Sequence, residues 1–165
     1  MRKIAVYPGT FDPITNGHIN LVQRGLNIFD ELIIAVAKKT PKETLFSIEE
    51  RVEMIKTALK DFSQVKITSF DGLLVDYLKK TNVNVILRGL RAVLDFEYEF
   101  QMALMNRKLD RNIETIFMMT GYQWFYVSSR IIKEVVMAGG SVEGLVPDIV
   151  NKKIKGKFYE YKIGR

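Results

Sequence analysis

The chain contains no cysteine and a single histidine, and these absences exclude several kinds of active site. Without cysteine there is no disulfide, no thiol nucleophile and no metal bound by thiolates. One histidine also excludes a zinc site built from several imidazoles. Any catalysis must therefore use other polar groups, with His18 as the one available imidazole.

Long apolar runs and the common nucleotide and hydrolase motifs are missing as well. No stretch approaches the roughly 20 apolar residues that a membrane helix needs, and the charged, turn-forming start does not fit a secretory signal. We therefore expect a cytoplasmic protein with no membrane partner. The absence of G-x-G-x-x-G, G-x-x-x-x-G-K-[ST] and G-x-S-x-G argues against a dinucleotide fingerprint, a Walker loop and a serine-hydrolase elbow.

What is present is an ordinary composition with a basic charge balance. The 165 residues are 47% hydrophobic and 27% charged, which predicts one globular domain over residues 1–165. The net charge of +6 favours anionic partners without choosing among nucleic acid, membrane surface and small phosphates. Part of the excess lies in a basic C-terminal tail, about residues 152–165, which we expect to be a solvated end.

Short runs rich in valine and isoleucine alternate with helical patterns along most of the chain. The runs predict strands at residues 3–7, 32–37, 65–70, 83–87 and 115–119, and a last short helix is expected to open at residues 146–148. Such alternation predicts an α/β protein, a single-domain, Rossmann-like, doubly wound five-stranded parallel sheet. Ligands of these sheets bind beyond the carboxyl ends of the strands, so the residues that follow each strand are the candidates.

The segment after the first predicted strand is the most informative. Residues 9–18 read Gly-Thr-Phe-Asp-Pro-Ile-Thr-Asn-Gly-His, and His18 opens a helical pattern. A strand, a turn and a helix N-terminus present free N–H groups that suit a phosphate. His18 could donate a hydrogen bond or a charge to it, and Thr10 offers a hydroxyl. A structural helix capped by Thr15 or Asn16 is the alternative interpretation.

Basic residues also follow the second and fourth predicted strands. Lys42 comes after Pro41, which stiffens its loop, and Arg88 and Arg91 flank Gly89. Guanidinium groups suit multidentate phosphate binding. The nearby acidic residues could instead simply pair with these arginines, and they are Asp95, Glu97 and Glu99.

Ser128 and Ser129 come after the fifth predicted strand and begin a helix, so their segment could hold a second phosphate. The aromatic residues at 124–126 precede them and could be core or line a pocket. No pair of carboxylates is placed for acid–base work. The whole set favours phosphoryl or nucleotidyl transfer, which needs positioning and charge neutralisation more than proton chemistry.

Three segments of the chain resemble one known family, the bacterial phosphopantetheine adenylyltransferases of the nucleotidyltransferase superfamily with the T/H-x-G-H box. They are GTFDPITNGH, RGLRAVxDFEYE and SSxxxKEV, and the resemblance extends from residue 2 to about residue 150. It implies transfer of the adenylyl group of ATP to 4′-phosphopantetheine, giving dephospho-coenzyme A and pyrophosphate in coenzyme A biosynthesis. It also implies Mg²⁺ carried with ATP, coenzyme A as feedback inhibitor, and a cytoplasmic homohexamer.

The same resemblance assigns roles to individual residues. The implied catalytic residues are His18, Lys42 and Arg91, and His18 would steady the α-phosphate. The implied phosphopantetheine contacts are Thr10, Lys42, Leu74 and Arg88. The implied ATP contacts are Thr10, Phe11, His18, Gly89, Leu90, Arg91, Glu99, Trp124, Phe125, Tyr126, Val127, Ser128, Ser129 and Arg130, and no protein metal ligand is implied. Relatives usually have Ser or Thr where this chain has Arg130, and often Ser where it has Phe125.

Other functions remain open on the sequence alone. Within the superfamily the acceptor could be glycerol phosphate, phosphocholine or nicotinamide mononucleotide, although the segment RGLRAVxDFEYE argues against them. A basic nucleic-acid-binding module is disfavoured, because the basic residues follow separate strands and no RNA-type aromatic motif is present. A catalytically inactive nucleotide binder is opposed by an intact set of candidates, Thr10, His18, Lys42, Arg88 and Arg91.

Overall fold

The computed structural model describes residues 2–39, 43–91 and 93–163, and for residues 93–95 and 159–163 it describes the backbone alone. Strands and helices alternate in the order β1 (Ile4–Gly9), α1 (Asn16–Gly25), β2 (Glu31–Ala37), α2 (Ile48–Ala58), β3 (Val65–Phe70), α3 (Leu74–Thr81), β4 (Val85–Leu90), α4 (Val93–Leu109), β5 (Glu114–Met119), a 3₁₀ helix (Tyr122–Trp124), α5 (Ser129–Met137) and α6 (Asp148–Ile163). The strands form one parallel sheet in the order β3-β2-β1-β4-β5. The predicted Rossmann-like α/β fold is confirmed.

Apolar side chains cover both faces of this sheet, as continuous Val- and Ile-rich strands require. On one face, the buried core includes residues of α1, α2, α5 and α6, and Leu21, Ile55 and Ile132 are among its members. On the other face, Val6 and Ile86 pack with residues of α3. Among the helices of the described residues, none is long and apolar enough to cross a membrane.

The sheet reverses its winding between β1 and β4, and these two neighbours are joined loosely. Within the described strands, β1 pairs with β4 at Val6 opposite Ile86, whereas β1 pairs with β2 along its whole length. Pro8 has no N–H to donate to the ladder, and its carbonyl accepts instead from Nη1 of Arg88 at 2.7 Å. The two strands therefore leave room at their carboxyl ends, where ligands of such sheets bind.

The fourth strand is longer than the sequence indicates. Its ladder with β5 continues to Leu90 opposite Met119, so Arg88, Gly89 and Leu90 belong to β4 and not to the loop after it. The valine-rich signal ends at Leu87, because Gly and a charged residue carry little strand propensity. Arg88 is thus held by a rigid strand.

The C-terminal region differs most from expectation, since α6 is 16 residues long and not short. Residues 152–158 are not a solvated end, because Val150 and Ile154 are fully buried. Lys153 and Lys157 form ion pairs with carboxylates of α2, at 2.5 and 3.0 Å. Val150 and Ile154 are four residues apart and so lie on one face of a helix, but the lysines between them obscure this pattern in the sequence.

Candidate active site

A crevice of about 370 Å³ opens at the carboxyl ends of β1 and β4. It brings together ten residues that the sequence predicted for the site, namely Thr10, Phe11, His18, Arg88, Gly89, Arg91, Glu99, Val127, Ser129 and Arg130. It is also lined by residues that were not predicted, among them Tyr7, Asp12, Thr120 and Lys133. Lys42 lies outside the described residues, and Glu43 and Thr44 just after it line the crevice.

The cap of α1 fixes the orientation of the His18 ring. Thr15 is the N-cap residue, and its hydroxyl accepts from the backbone N–H of His18. In return, the backbone N–H of Thr15 donates to Nδ1 of His18 at 2.9 Å. Since Nδ1 is an acceptor there, the ring proton of the neutral imidazole sits on Nε2. The capping and the ligand-facing interpretations of this segment therefore hold together, because the cap sets the ring that lines the crevice.

His18 is uncharged at neutral pH. Burial, together with the positive charges of Arg91 and Arg88, lowers the pKa of His18 to about 3. The ring of Phe11 contacts it edge-on, with the ring centroids 5.1 Å apart, and keeps that side apolar. The sequence allowed His18 to contribute either a hydrogen bond or a positive charge to a phosphate. The hydrogen bond from Nε2–H is available, and the positive charge is not.

Arg88 is clamped on several sides. Its Nε donates to Glu99 at 2.6 Å and its Nη2 donates to the other oxygen of the same carboxylate, while Nη1 donates to the carbonyl of Pro8. The expectation that a nearby acid pairs with an arginine is confirmed for Glu99. A guanidinium has five N–H groups, so the clamp still leaves donors for an anion in the crevice. Arg88 is about one-third exposed, with a side-chain accessibility of 30%.

The Arg88–Glu99 pair also borders a second, smaller cavity of about 180 Å³. Its wall is largely apolar and includes Leu74, Tyr98 and Met102, with Asn106 as a polar member. Leu74 is therefore not beside His18 but in this adjoining space. The crevice and the cavity share the guanidinium at their junction, so one ligand could place an anionic group at Arg88 and extend an uncharged chain toward Leu74.

Gly89 and Arg91 complete this side of the crevice. A Cβ on Gly89 would lie 2.9 Å from Cδ2 of Leu21, so any larger residue there would force the Leu21 side chain of α1 to shift. Nη1 of Arg91 donates to the carbonyl of Val127 at 3.3 Å, which links the end of β4 to the segment before α5. Leu90 is not among the residues that line the crevice.

The hydroxyls at the start of α5 have structural partners. Ser128 is the N-cap and accepts from the backbone N–H of Ile131 at 3.1 Å, and the hydroxyl of Ser129 donates to the carbonyl of Pro13 at 2.7 Å. The first backbone N–H groups of a helix lack intrahelical partners, so these groups, and not the hydroxyls, are suited to an anion.

The remaining predicted residues near α5 lie toward the outside. Arg130 borders the crevice, but its side chain is 83% exposed and its Nε donates to Glu134 at 2.8 Å. Phe125 and Tyr126 are exposed, with relative accessibilities of 40% and 61%. Trp124 is partly buried and packs beside Gly17. The roles of these residues toward ATP stay predictions.

Three charged residues of the crevice were missed as functional candidates, and two of them, Asp12 and Lys133, contact each other. Asp12 was interpreted as part of a turn, yet it is buried and forms an ion pair with Lys133, whose Nζ lies 2.7 Å from Oδ2. Lys133 follows Ser129 by four residues and so lies on the same face of α5. That helical spacing is the signal that could have found it. Among the described residues, no group of three or more His, Cys, Asp or Glu side chains is placed to hold a metal ion.

Comparison with known proteins gives concordant matches. A family model for cytidylyltransferase-like proteins matches residues 6–135. A phosphopantetheine adenylyltransferase of Syntrophus aciditrophicus (strain SB) is 61% identical over 158 residues, which cover 96% of each chain. The enzyme of the same name from Oleidesulfovibrio alaskensis is 56% identical, covering 98% of this chain and 95% of the relative.

A solved structure supports the fold independently. A protein of Vibrio parahaemolyticus described as a candidate nicotinate-nucleotide adenylyltransferase superposes with a TM-score of 0.68, covering 93% of this chain and 99% of that one. Its sequence is only 15% identical, so this likeness bears on the fold alone.

Proposed function

The chain belongs to the cytidylyltransferase-like family and, within it, to the phosphopantetheine adenylyltransferases, and from that premise we propose how its crevice works. The reaction is transfer of the adenylyl group of ATP to 4′-phosphopantetheine, giving dephospho-coenzyme A and pyrophosphate in coenzyme A biosynthesis. One observation supports this acceptor above all. A cationic crevice and an apolar cavity meet at the Arg88–Glu99 pair.

The acceptor matches this pair of spaces in its own chemistry. Phosphopantetheine has a phosphate at one end and a long uncharged arm. The free donors of Arg88 would bind the phosphate, with Thr10 beside it, and the arm would extend along Leu74 and Met102. Asn106 offers an amide to the peptide-like groups of the arm. Lys42 is kept as a predicted contact of the same phosphate.

ATP would occupy the other side, between His18, Arg91 and the N-terminus of α5. A phosphate oxygen of the acceptor attacks the α-phosphorus, a new P–O bond forms, and the bond to the β-phosphate breaks as pyrophosphate leaves with the electron pair. Nε2–H of His18 and the guanidinium of Arg91 stabilise the charge that shifts onto the non-bridging oxygens. No covalent enzyme intermediate is needed, so the α-phosphorus inverts.

Mg²⁺ would enter with ATP as part of the substrate. Two of the three carboxylates that line the crevice, Asp12 and Glu99, already have cationic partners, Lys133 and Arg88. Mg²⁺ commonly binds nucleotide phosphates and water with few protein ligands. The role of the protein is then to orient the triphosphate that carries the ion.

We also propose that the protein assembles with copies of itself, as a hexamer. The exposed side chains of α4 and the edge strand β5 include many large apolar ones, namely Phe100, Leu104, Met105, Leu109 and Met119, each more than 40% exposed. An apolar surface of this kind is typical of an interface. Light scattering on the purified chain should give about six times 19.0 kDa, and a monomer would contradict the assembly.

Coenzyme A carries both halves of the product and is proposed to compete for the same spaces.

The function is tested by incubating the protein with ATP, Mg²⁺ and 4′-phosphopantetheine and measuring pyrophosphate release. Glycerol phosphate, phosphocholine and nicotinamide mononucleotide serve as alternative acceptors at the same concentration. Turnover with 4′-phosphopantetheine at least about 10²-fold above the others is expected, since only this acceptor fills the apolar cavity. Faster turnover with another acceptor, or none with any, would refute the proposal.

A further inference from the structure

Asp12 lies between two sides of the crevice and bonds to both of them. Its Oδ1 accepts from the backbone N–H of Phe46 at 2.9 Å, and its Oδ2 accepts from the backbone N–H of Leu45 at the same distance. Oδ2 also accepts from Nζ of Lys133 at 2.7 Å. One oxygen is therefore shared between a loop that follows β2 and a side chain of α5.

The two sides that meet at Asp12 serve different ligands under the proposed function. Residues 43–46, here called the acceptor wall, line the crevice with Glu43 and Thr44 and follow the predicted phosphate contact Lys42. Helix α5 presents its N-terminus to the triphosphate. The hydroxyl of Ser129 adds a second connection, because it donates to Pro13, the residue after Asp12.

Hydrogen bonds from Arg51 fix the position of the loop that carries Asp12. Nη1 of Arg51, a fully buried side chain of α2, donates to the carbonyls of Thr10 and Ala37 at 2.8 and 2.9 Å. This bond pair joins the carboxyl ends of β1 and β2. The backbone beside Asp12 is therefore held in place, so a shift of Lys133 on one side of the crevice can alter the bonds of the Asp12 carboxylate to the loop on the other side.

We propose that Asp12 is a positioning residue that, through Lys133, sets the separation between the acceptor wall and α5. This inference rests on the proposed function, in which the two sides hold the attacking phosphate and ATP. In-line attack requires the reacting atoms to be aligned closely, and a displacement of about 1 Å can cost about 10²-fold in rate. Neither residue needs to touch the reacting atoms for this role.

The test compares Lys133→Met with wild type and with two control variants. Lys133→Arg keeps a cation for Oδ2. Lys153→Met removes an ion pair of similar length, to Glu53, that joins α6 to α2 away from the crevice. For each variant, kcat, both KM values and the thermal midpoint are measured, together with the hydrogen-exchange rates of the Leu45 and Phe46 amides.

The expected pattern separates coupling from simple contact. Lys133→Met should lower kcat about tenfold and speed exchange of the Leu45 and Phe46 amides, although the substituted side chain lies on α5. Lys133→Arg should recover at least half of the lost kcat and at least half of the lost exchange protection of the two amides. Lys153→Met should change only the thermal midpoint. Asp12→Asn should lower kcat about 10²-fold and raise both KM values.

Several results would overturn the inference. If Lys133→Met raises only the KM for ATP and leaves amide exchange unchanged, Lys133 is a nucleotide contact without coupling. If Lys153→Met reproduces the kinetic loss, the effect is a general loss of stability. Should Asp12→Asn fail to fold, Lys133→Met decides alone. A wild type without turnover defeats the proposed function instead, and the exchange rates still test the coupling.

Discussion

Replacing His18 with alanine tests the centre of the proposed mechanism, because the structure limits what this side chain can supply. Its Nδ1 is engaged by the backbone N–H of Thr15, and its low pKa keeps the ring neutral. The loss is therefore one neutral donor in a partly enclosed site. Removing such a donor costs about 10²–10³ in kcat, or about 2.7–4 kcal/mol, and a neutral group should lie near the lower limit.

The same substitution also removes part of a helix cap, so its effect on stability must be measured separately. The Thr15 N–H loses its acceptor, which should cost about 1 kcal/mol of unfolding free energy. Ser47→Ala is the control, because Ser47 belongs to the corresponding capping box of α2, where its hydroxyl accepts from the backbone N–H of Glu50, and it does not line the crevice. Its loss should cost a similar free energy and leave kcat within about twofold of wild type.

Turnover is measured as pyrophosphate release at saturating ATP and 4′-phosphopantetheine, and stability is measured by urea denaturation. We expect the His18→Ala and Ser47→Ala variants to unfold at similar urea concentrations and to differ about 10²-fold in kcat. If His18→Ala retains a kcat within about threefold of wild type, the donor role of the imidazole is wrong.

Three further predictions follow from the site and the core. Arg130→Ser should keep kcat/KM within about tenfold, because the side chain is exposed and paired with Glu134 while the helix N–H groups remain; a larger fall would make Arg130 essential. Since His18 is the only histidine, its imidazole nitrogen shifts in NMR should show the neutral Nε2–H form from pH 8 to pH 5. Because the pKa of His18 is lower in the folded than in the unfolded protein, the stability that its neutral ring contributes is complete above about pH 6.5 and is lost as the pH falls toward about 3. An NMR titration of His18 near pH 6.5 in the folded protein would contradict the assignment. Ile154→Ala should lower the unfolding free energy by about 2–5 kcal/mol in urea titrations, and an unchanged value would show that α6 does not pack as described.

The sequence was sufficient for the sheet and for half of the residues that line the crevice, and the reasons are local. The strand signals came from valine and isoleucine runs that lie between two helical layers. The box that ends at His18 combines a strand end, a cap and a helix start within residues 9–18, so neighbours in sequence are neighbours in space. The rule that ligands bind at the carboxyl ends of strands then brought Arg88 and Arg91 to the same place.

What the sequence could not supply depends on contacts between distant segments. Asp12 looked like a turn residue, since its partners at 45, 46 and 133 come from separate loops and helices. The clamp of Arg88 by Glu99 was one of several possible pairings until α4 was placed. The neutrality of His18 required knowing how deeply it is enclosed and how near both arginines lie.

The proline in β1 gives the sheet a seam along the line where the substrates are proposed to meet. Because Pro8 offers no amide hydrogen, the β3-β2-β1 half and the β4-β5 half are held together there by Arg88 more than by the ladder. A molecule that touches both halves would act as a cross-brace over this seam. Heat resistance should therefore rise most with a bisubstrate-like compound that spans the halves, and less with either fragment of it at equal occupancy.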